Sequence, residues 1–361
     1  MSQDYFREHI SMTQWIIETG PENKQTLLNE EIGKGQRLEI LNRTIGLPIV
    51  QTRCVTYDDI SLLSDSFRSL LREAGNSLYA VTAYPTNSGC ELLRNRGQTL
   101  PDLINWLGSH GVDRALYEYC FEPHIEAERS CIFVAQSHRI IGEAAPGTIL
   151  QLSNGKPTDE LLYFEYDFHE WRFSKTIPAV EEFIRQAIAS VHIDDALSRN
   201  KVQSHLHMSL AKDHLEGYFE AIDNANTGLR FIEYNRVLTN NLDIPIFPRQ
   251  HKEESANVLI GRPASNGRVE GIAKVFGVEE EPTRLQSEEI LVCHFISPKY
   301  APYIKIAAAV IADVGGIFSH PAITCREMAK PCVVGTANGT ISIKTGDVLE
   351  VDARNGIVTI K

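Results

Sequence analysis

The fold is decided by the stretch GGIFSHPAITCREMAKPCVVG at residues 315–335. An apolar run at 307–312 precedes it and predicts a buried strand, which the two glycines end. A helical pattern then starts at Ser319 or His320, with Pro321 in the first turn, where a missing N–H costs nothing. The first-turn amides therefore point towards whatever His320 carries, and a phosphate suits that end of a helix.

The same stretch resembles the phosphohistidine swivelling domain of the phosphoenolpyruvate-utilising enzymes, such as phosphoenolpyruvate synthase and pyruvate phosphate dikinase. The shared pattern is GGxxSHxAIxxRExxxPxVVG. In that family the histidine accepts a phosphoryl group from a nucleotide and carries it to an acceptor. The resemblance implies that His320 is the catalytic residue and that Arg326 pairs with the carried phosphate. The alternative is a structural histidine that caps the helix and packs on Phe318.

The resemblance also implies the domain organisation. A GxPASxGxVxG pattern at 261–271 and a GDVLEVD pattern at 346–352 match the two ends of the swivelling domain, so residues 258–361 are expected to form a swivelling β/β/α domain. The proline-bearing, polar stretch at 241–257 predicts a linker. Residues 31–240 are expected to form a divergent ATP-grasp domain with a helical insert at about 177–215, after an N-terminal helical segment at 1–30. The predicted fold class is therefore α+β or α/β.

Residues 31–240 resemble the nucleotide-binding domain of the same family. The patterns IGKGQRLEIL at 32–41 and GLPIV at 46–50 imply that Lys34 contacts nucleotide phosphate, and a lysine between two glycines can bring its charge to an anion. The residues 115–121 form a candidate strand, and the resemblance to the ATP-grasp fold implies that its residues 117–119, with Glu118 and Tyr119, are the hinge that meets adenine. Glu143 matches a Gly-Glu pair that faces the nucleotide.

One departure from the family pattern lies at residues 81–85. Relatives carry VRSSA there, with an arginine that contacts phosphate, whereas this chain has VTAYP with Thr82. Arg94 or Arg96 of the following segment is expected to replace the missing cation.

A second informative stretch, at 217–236, predicts a hairpin of two apolar strands around a loop of Asp, Asn and Gly. Glu220 and Glu233 lie one on each strand and are expected to face each other, with Asn235 close by. Hard oxygen ligands of this kind suit Mg²⁺ on a triphosphate, and the pattern resembles the metal-binding end of ATP-grasp domains. The alternative is a pair of exposed edge charges.

The composition excludes several classes of partner. The 361 residues carry a net charge of −12, which argues against nucleic acid or an anionic membrane as a partner, and neither a signal peptide nor a membrane-spanning run is recognisable. A cytoplasmic protein is expected. Its seven dispersed cysteines, without a Cys-x-x-Cys pair, predict reduced thiols, and Cys325 is expected to be structural despite its closeness to His320.

These features predict an ATP-dependent phosphotransferase that uses Mg²⁺ and phosphorylates His320. The sequence ends after the swivelling pattern, without the family's phosphoenolpyruvate- or pyruvate-binding barrel, so the acceptor is expected to be a small molecule or to be bound by a separate protein. One alternative is an ATP-grasp ligase or condensing enzyme that works through an acyl phosphate. Another is a non-catalytic regulatory homologue, which the threonine at position 82 motivates.

Overall fold

The computed structural model describes residues 11–86, 93–109, 113–155, 161–238, 242–247, 257–277 and 284–361. The chain forms two compact units, one of Ile49–Glu126 and the other of Met1–Pro48 together with Ala127–Lys361. Most of the predicted linker at 241–257 lies outside the described residues. The predicted domain boundaries stay predictions.

Twelve α-helices and twenty strands lie in the described residues. The helices are α1 (Met12–Thr19), α2 (Lys24–Ile32), α3 (Lys34–Ile45), α4 (Tyr57–Ser61), α5 (Asp65–Ala74), α6 (Leu100–Gly108), α7 (Leu150–Ser153), α8 (Pro178–Ser190), α9 (Ala196–Leu206), α10 (Ala301–Ile306), α11 (His320–Glu327) and α12 (Gly339–Ser342). The strands are β1 (Arg53–Thr56), β2 (Leu78–Pro85), β3 (Leu93–Thr99), β4 (Tyr117–Pro123), β5 (Arg129–Gln136), β6 (Arg139–Pro146), β7 (Leu162–Tyr166), β8 (Trp171–Phe173), β9 (Leu210–Ala211), β10 (His214–Leu215), β11 (Gly217–Asp223), β12 (Arg230–Asn235), β13 (Val258–Ile260), β14 (Arg262–Ser265), β15 (Arg268–Phe276), β16 (Glu289–Cys293), β17 (Ala309–Ala312), β18 (Cys332–Val334), β19 (Val348–Asp352) and β20 (Ile357–Ile360). The predicted mixed α and β fold class is confirmed.

The unit Ile49–Glu126 is built on a four-stranded antiparallel sheet with strand order β1-β4-β2-β3. One face of this sheet carries the apolar core, in which Val81, Tyr119 and Phe121 pack with Phe67 of α5 and Leu103 of α6. Alternate side chains along each strand point to the other face, as the two-residue period of a strand requires.

A six-stranded antiparallel sheet, β12-β11-β5-β6-β7-β8, lies in the larger unit. Strands β11 and β12 form the hairpin that the pattern at 217–236 predicts, and Glu220 lies directly opposite Glu233, as expected. Strands β5 and β6 are buried along almost their whole length, so this sheet is covered on both faces.

The larger unit also contains an eight-stranded sheet with order β13-β20-β19-β15-β16-β17-β18-β14. Strands β15, β16, β17 and β18 run parallel to one another, and the other neighbouring pairs are antiparallel. Apart from Glu289 at the start of β16, strands β16 and β17 consist of buried apolar residues, which is the pattern of parallel strands covered on both faces. The apolar run at 307–312 thus forms β17, which begins two residues later than predicted.

The cysteines correct one prediction. Cys54 and Cys120 lie directly opposite each other on β1 and β4 and form a disulfide, so reduced thiols throughout the chain are the wrong expectation. Cys131, Cys293, Cys325 and Cys332 are free and buried, in agreement with a structural role for Cys325. Cys90 lies outside the described residues.

None of the helices in the described ranges has the length and apolar character needed to cross a lipid bilayer.

The disulfide should stabilise the unit Ile49–Glu126. It joins residues 66 positions apart, and closing a loop of that length in the unfolded chain is worth about 4 kcal/mol. We expect reductant to lower the free energy of unfolding of the wild-type protein by a few kcal/mol, measured by denaturant titration. The matched control is Cys54→Ser, for which reductant should change nothing; equal effects of reductant on both proteins would contradict the bond.

Candidate functional site

The loop at 315–319 leads directly into helix α11, which begins at His320 as the sequence predicts. Ser319 occupies the N-cap position in extended backbone geometry, but its hydroxyl does not cap the helix. Instead, the Oγ of Ser319 donates a hydrogen bond of 2.9 Å to the carbonyl of Gly316 and so closes the loop on itself. His320 is therefore the first residue of a helix and directly follows a short loop that is closed by its own hydrogen bond.

Arg326 supports this loop from the other end of α11. Its side chain is buried, and its Nη1 donates to the carbonyl of Ile317 at 2.6 Å and to that of Ala264 in β14 at 2.7 Å. The guanidinium thereby ties the loop to the eight-stranded sheet. In this structure Arg326 positions the backbone next to His320, and its pairing with a carried phosphate stays a prediction.

Glu143 of β6 binds the same loop from the six-stranded sheet. The amide of Ile317 donates to Oε2 of Glu143 at 3.0 Å, and the amide of Phe318 donates to Oε1 at 3.2 Å. Glu143 is fully buried. Burial raises the pKa of its carboxyl to about 8, although the two amides act in the opposite direction. The sequence predicts that Glu143 faces a nucleotide, whereas the structure shows it bound to the loop of His320.

Glu143 belongs to a row of side chains that crosses the six-stranded sheet. In the register, Glu233 of β12 lies opposite Glu220 of β11, Glu220 opposite Ile132 of β5, and Ile132 opposite Glu143 of β6. Directly opposed residues point to the same face of a sheet. The three glutamates therefore line one face, with Glu143 about 10 Å from Glu220 at the usual strand spacing.

The two hairpin glutamates are held by different partners. The Nζ of Lys34, at the start of α3, is 2.8 Å from Oε2 of Glu233. The Oε1 of Glu233 is buried and has no hydrogen-bond partner within the described residues. Tyr218, on the same strand as Glu220, donates its hydroxyl to Oε1 of Glu220 at 2.7 Å. A buried carboxylate oxygen without a hydrogen-bond donor fits a cation, so these residues are suited to hold Mg²⁺.

Glu31 is part of this cluster and was missed by the sequence analysis. It lies at the end of α2, and its pKa is raised to about 7, first by burial and then by the neighbouring carboxylate of Glu233, with Glu220 adding to the effect. The signal in the sequence is its place three residues before Lys34.

Asn235 lies beside the same acidic cluster, but its side chain forms hydrogen bonds with protein groups. Its Nδ2 donates to Oε1 of Glu31 at 3.4 Å, and its Oδ1 accepts from the amides of Val237 and Leu238. The oxygen expected to bind a metal thus holds the turn that follows β12. A metal-ligand role for Asn235 stays a prediction.

The carboxylates of this cluster are not gathered into a compact three-ligand site. Among the described residues, three His, Cys, Asp or Glu side chains bring ligand atoms within 4.8 Å of one another at one place, namely Cys54, Glu118 and Cys120. Because the two sulfur atoms there are bonded to each other, that place offers no thiolate pair.

The unit Ile49–Glu126 holds the remaining predicted nucleotide ligands. Tyr119 lies in the apolar core, and its hydroxyl donates to the carbonyl of Arg114. Glu118 is exposed on the opposite face of the sheet. Strand β4 pairs with β1 on one side and β2 on the other, so its backbone here has no free edge to meet adenine. The hinge role of residues 117–119 stays a prediction.

The register of this sheet bears on the missing family arginine. Thr82 lies directly opposite Arg94 of β3, so the side chain of Arg94 shares the face of Thr82. Cys120 lies opposite Thr82 on the other side, and Glu118 shares its face. A cation is therefore present beside Thr82, on the neighbouring strand. Of the two arginines suggested by the sequence, Arg94 lies directly opposite Thr82, whereas Arg96 lies two residues along the strand on the same face.

Comparison with known proteins identifies the region around His320. Residues 285–356 match the family model "PEP-utilising enzyme, mobile domain". The phosphoenolpyruvate synthase of Aeropyrum pernix is 37% identical over 113 residues, which are 31% of this chain and 14% of that protein. A "Probable phosphoenolpyruvate synthase" of Pyrococcus horikoshii is 29% identical over 220 residues, 61% of this chain and 25% of that protein. The chain thus spans a quarter or less of the length of these relatives.

Among solved structures, D-cycloserine synthetase DcsG is similar with 14% sequence identity and a TM-score of 0.33, over 58% of this chain and 63% of that chain. The loop with His320, the helix α11 and the parallel strands β16 to β18 all lie within the region matched by the family model. Residues 285–356 of this chain are therefore similar to the mobile domain of phosphoenolpyruvate-utilising enzymes.

Proposed function

We propose that this protein is an ATP-dependent phosphotransferase that phosphorylates His320 and passes the phosphoryl group to an acceptor. The observation that carries the proposal is the loop of His320 bound to Glu143, in the same row of the same sheet face as Glu220 and Glu233. The loop that bears the candidate phosphate carrier is thus attached to the face that bears the candidate nucleotide site. Similarity to phosphoenolpyruvate synthases supports the same class of reaction.

The chemistry requires a nucleophile, neutralisation of charge and positioning. A neutral imidazole nitrogen of His320 attacks phosphorus, a nitrogen–phosphorus bond forms, and a phosphoanhydride P–O bond of the nucleotide breaks. The departing nucleotide takes the electron pair of that bond, and the proton on the other ring nitrogen passes to solvent. Arg326 and Glu143 hold the backbone from which the imidazole extends.

Charge on the triphosphate is balanced by groups of the acidic cluster. Glu220 and Glu233 would hold Mg²⁺, with Glu31 beside them, and bound Mg²⁺ would neutralise charge on the phosphate oxygens. The ammonium of Lys34, now 2.8 Å from Glu233, is available to turn to a phosphate when a metal takes its place. Within the unit Ile49–Glu126, we propose that Arg94 takes the role of the family arginine that is absent at Thr82.

The acceptor is proposed to be a small molecule or to be bound by a separate protein. The reaction of the similar synthases is not assigned to this chain, because the matched regions cover only part of those proteins.

His320 should be required for covalent labelling by ATP. Incubating the protein with Mg²⁺ and ATP labelled in the β or γ phosphate should give acid-labile, base-stable label in the wild type and none in His320→Ala, because the imidazole is the nucleophile. His138→Ala is the control, since His138 is exposed in the turn between β5 and β6. Label that persists in His320→Ala would refute the proposal, and release of phosphate only with a carboxylate substrate would favour the ligase alternative.

The hairpin glutamates should make nucleotide affinity dependent on Mg²⁺. We expect Glu220→Gln and Glu233→Gln each to weaken Mg²⁺-dependent ATP binding at least tenfold, or about 1.4 kcal/mol, in calorimetric titration. Both variants should bind ATP without Mg²⁺ as the wild type does. Glu170→Gln, at an exposed position, serves as the control. Unchanged metal dependence in both variants would remove the hairpin from the metal site.

Arg94 and Arg96 should differ in their effect on nucleotide binding. Because Arg94 lies opposite Thr82, Arg94→Ala should weaken ATP binding several-fold, and Arg96→Ala should weaken it less. Introducing arginine by Thr82→Arg should restore affinity to Arg94→Ala, as a cation on the same face replaces the lost one. If Arg94→Ala and Arg96→Ala lost ATP affinity equally, and Thr82→Arg restored none of it, a specific role for Arg94 opposite Thr82 would be refuted.

A further inference from the structure

The carboxylate of Glu143 forms a binding site for the backbone of the His320 loop. Two hydrogen bonds run from the main-chain amides of Ile317 and Phe318 to the carboxylate of Glu143. The two amides lie 174 and 175 positions after Glu143 in the sequence. Buried amides require acceptors, and a buried carboxylate requires donors, so each side satisfies the other. The contact involves no side chain of the loop. It therefore recognises the shape of the loop backbone.

Gly316 makes this contact possible by lacking a side chain. A Cβ at position 316 would lie 2.3 Å from Oε1 and 2.6 Å from Oε2 of Glu143, far inside contact distance. The backbone of Gly316 does not have a positive φ, in contrast to that of Gly315, whose φ is 137°. Alanine at position 316 is therefore compatible with the loop conformation itself, but its Cβ would displace the carboxylate of Glu143 from the two amides.

A second close approach lies beside the first. Gly155, after α7, has a φ of 64°, and a Cβ there would lie 3.2 Å from the Cβ of Ser319. The loop thus lies close both to Glu143 of the six-stranded sheet and to Gly155, and at Gly155 there is little room for a side chain. This agrees with a surface shaped to receive residues 315–319.

The charges around the contact favour the same arrangement. The guanidinium of Arg262, on β14, lies 3.7 Å from the centre of the Tyr163 ring, and Tyr163 is the cross-strand neighbour of Glu143 on β7. Arg326 approaches the loop from the side of the eight-stranded sheet. Both cations attract the carboxylate of Glu143, and both belong to the part of the chain that carries His320. The elements that flank the loop thus bring positive charge to Glu143.

We propose that Glu143 is a positioning residue that captures the His320 loop for loading, by binding the amides of Ile317 and Phe318 at a site that Gly316 leaves open. The inference rests on the proposed function, in which the mobile domain must return to the nucleotide site in every cycle. Glu143 acts through the loop backbone and takes no part in the bond changes at phosphorus. Release of the two amides frees the loop to carry its phosphoryl group elsewhere.

The test is a double-mutant cycle between Gly316→Ala and Glu143→Ala with two readouts. The first is hydrogen exchange of the amides of Ile317 and Phe318, measured without nucleotide by NMR or mass spectrometry. The second is the rate of ATP-dependent labelling of His320. Each single variant should speed the exchange of both amides and slow labelling at least tenfold. The double variant should be no more impaired than the worse single variant, since removing the carboxylate also removes the clash.

Two further variants separate positioning from folding. Glu143→Gln keeps the size of the side chain and an acceptor for one amide, so its loss of labelling rate should be smaller than that of Glu143→Ala. Glu170→Ala, at an exposed position after β7, should match the wild type in both readouts. Circular dichroism checks that every variant is folded.

The outcomes distinguish this inference from the proposed function. If Gly316→Ala and Glu143→Ala exchange and label as the wild type does, or if their effects multiply in the double variant, capture by Glu143 is overturned while phosphorylation of His320 stands. If the exchange readout behaves as expected but the wild type is never labelled by ATP, the docking contact is supported and the phosphotransferase function fails.

Discussion

Two hydrogen bonds to one buried carboxylate determine how the larger unit of this protein is organised. A carboxylate such as that of Glu143 is costly to bury unless donors surround it, and its donors come from the loop ahead of His320. This contact therefore fixes the position of the His320 loop relative to the six-stranded sheet. The glutamate row on the sheet face gains its connection to the histidine through this contact.

The N-terminal helices provide a second connection between the same two parts. Helix α1 packs against α10 and α11, and the Nδ2 of Asn23 donates to Oε2 of Glu327 at 2.5 Å. The following helices α2 and α3 carry Glu31 and Lys34 of the acidic cluster. One continuous segment thus touches the helix of His320 and the candidate metal site. A segment whose role could not be deduced from the sequence is thus a structural link between the helix of His320 and the acidic cluster.

The sequence was sufficient for features that local patterns determine. The strand and helix around His320 and the opposed pair Glu220 and Glu233 follow from periodicity and from the turn between the hairpin strands. The alternation of a strand also places the side chains of Glu118 and Tyr119 on opposite faces of the sheet. Contacts between distant segments, such as the disulfide and the bond from Glu143 to the loop, leave no local pattern and were missed.

The paired glycines before the histidine show why such contacts are hidden. In the sequence Gly315 and Gly316 look alike, as residues that end a strand. In the structure Gly315 has a φ that glycine favours, whereas Gly316 has no such need and is constrained by the oxygen atoms of Glu143. The first glycine serves the conformation of the loop, and the second serves its contact with another sheet. A constraint of the second kind arises from the docked arrangement and is invisible in either part alone.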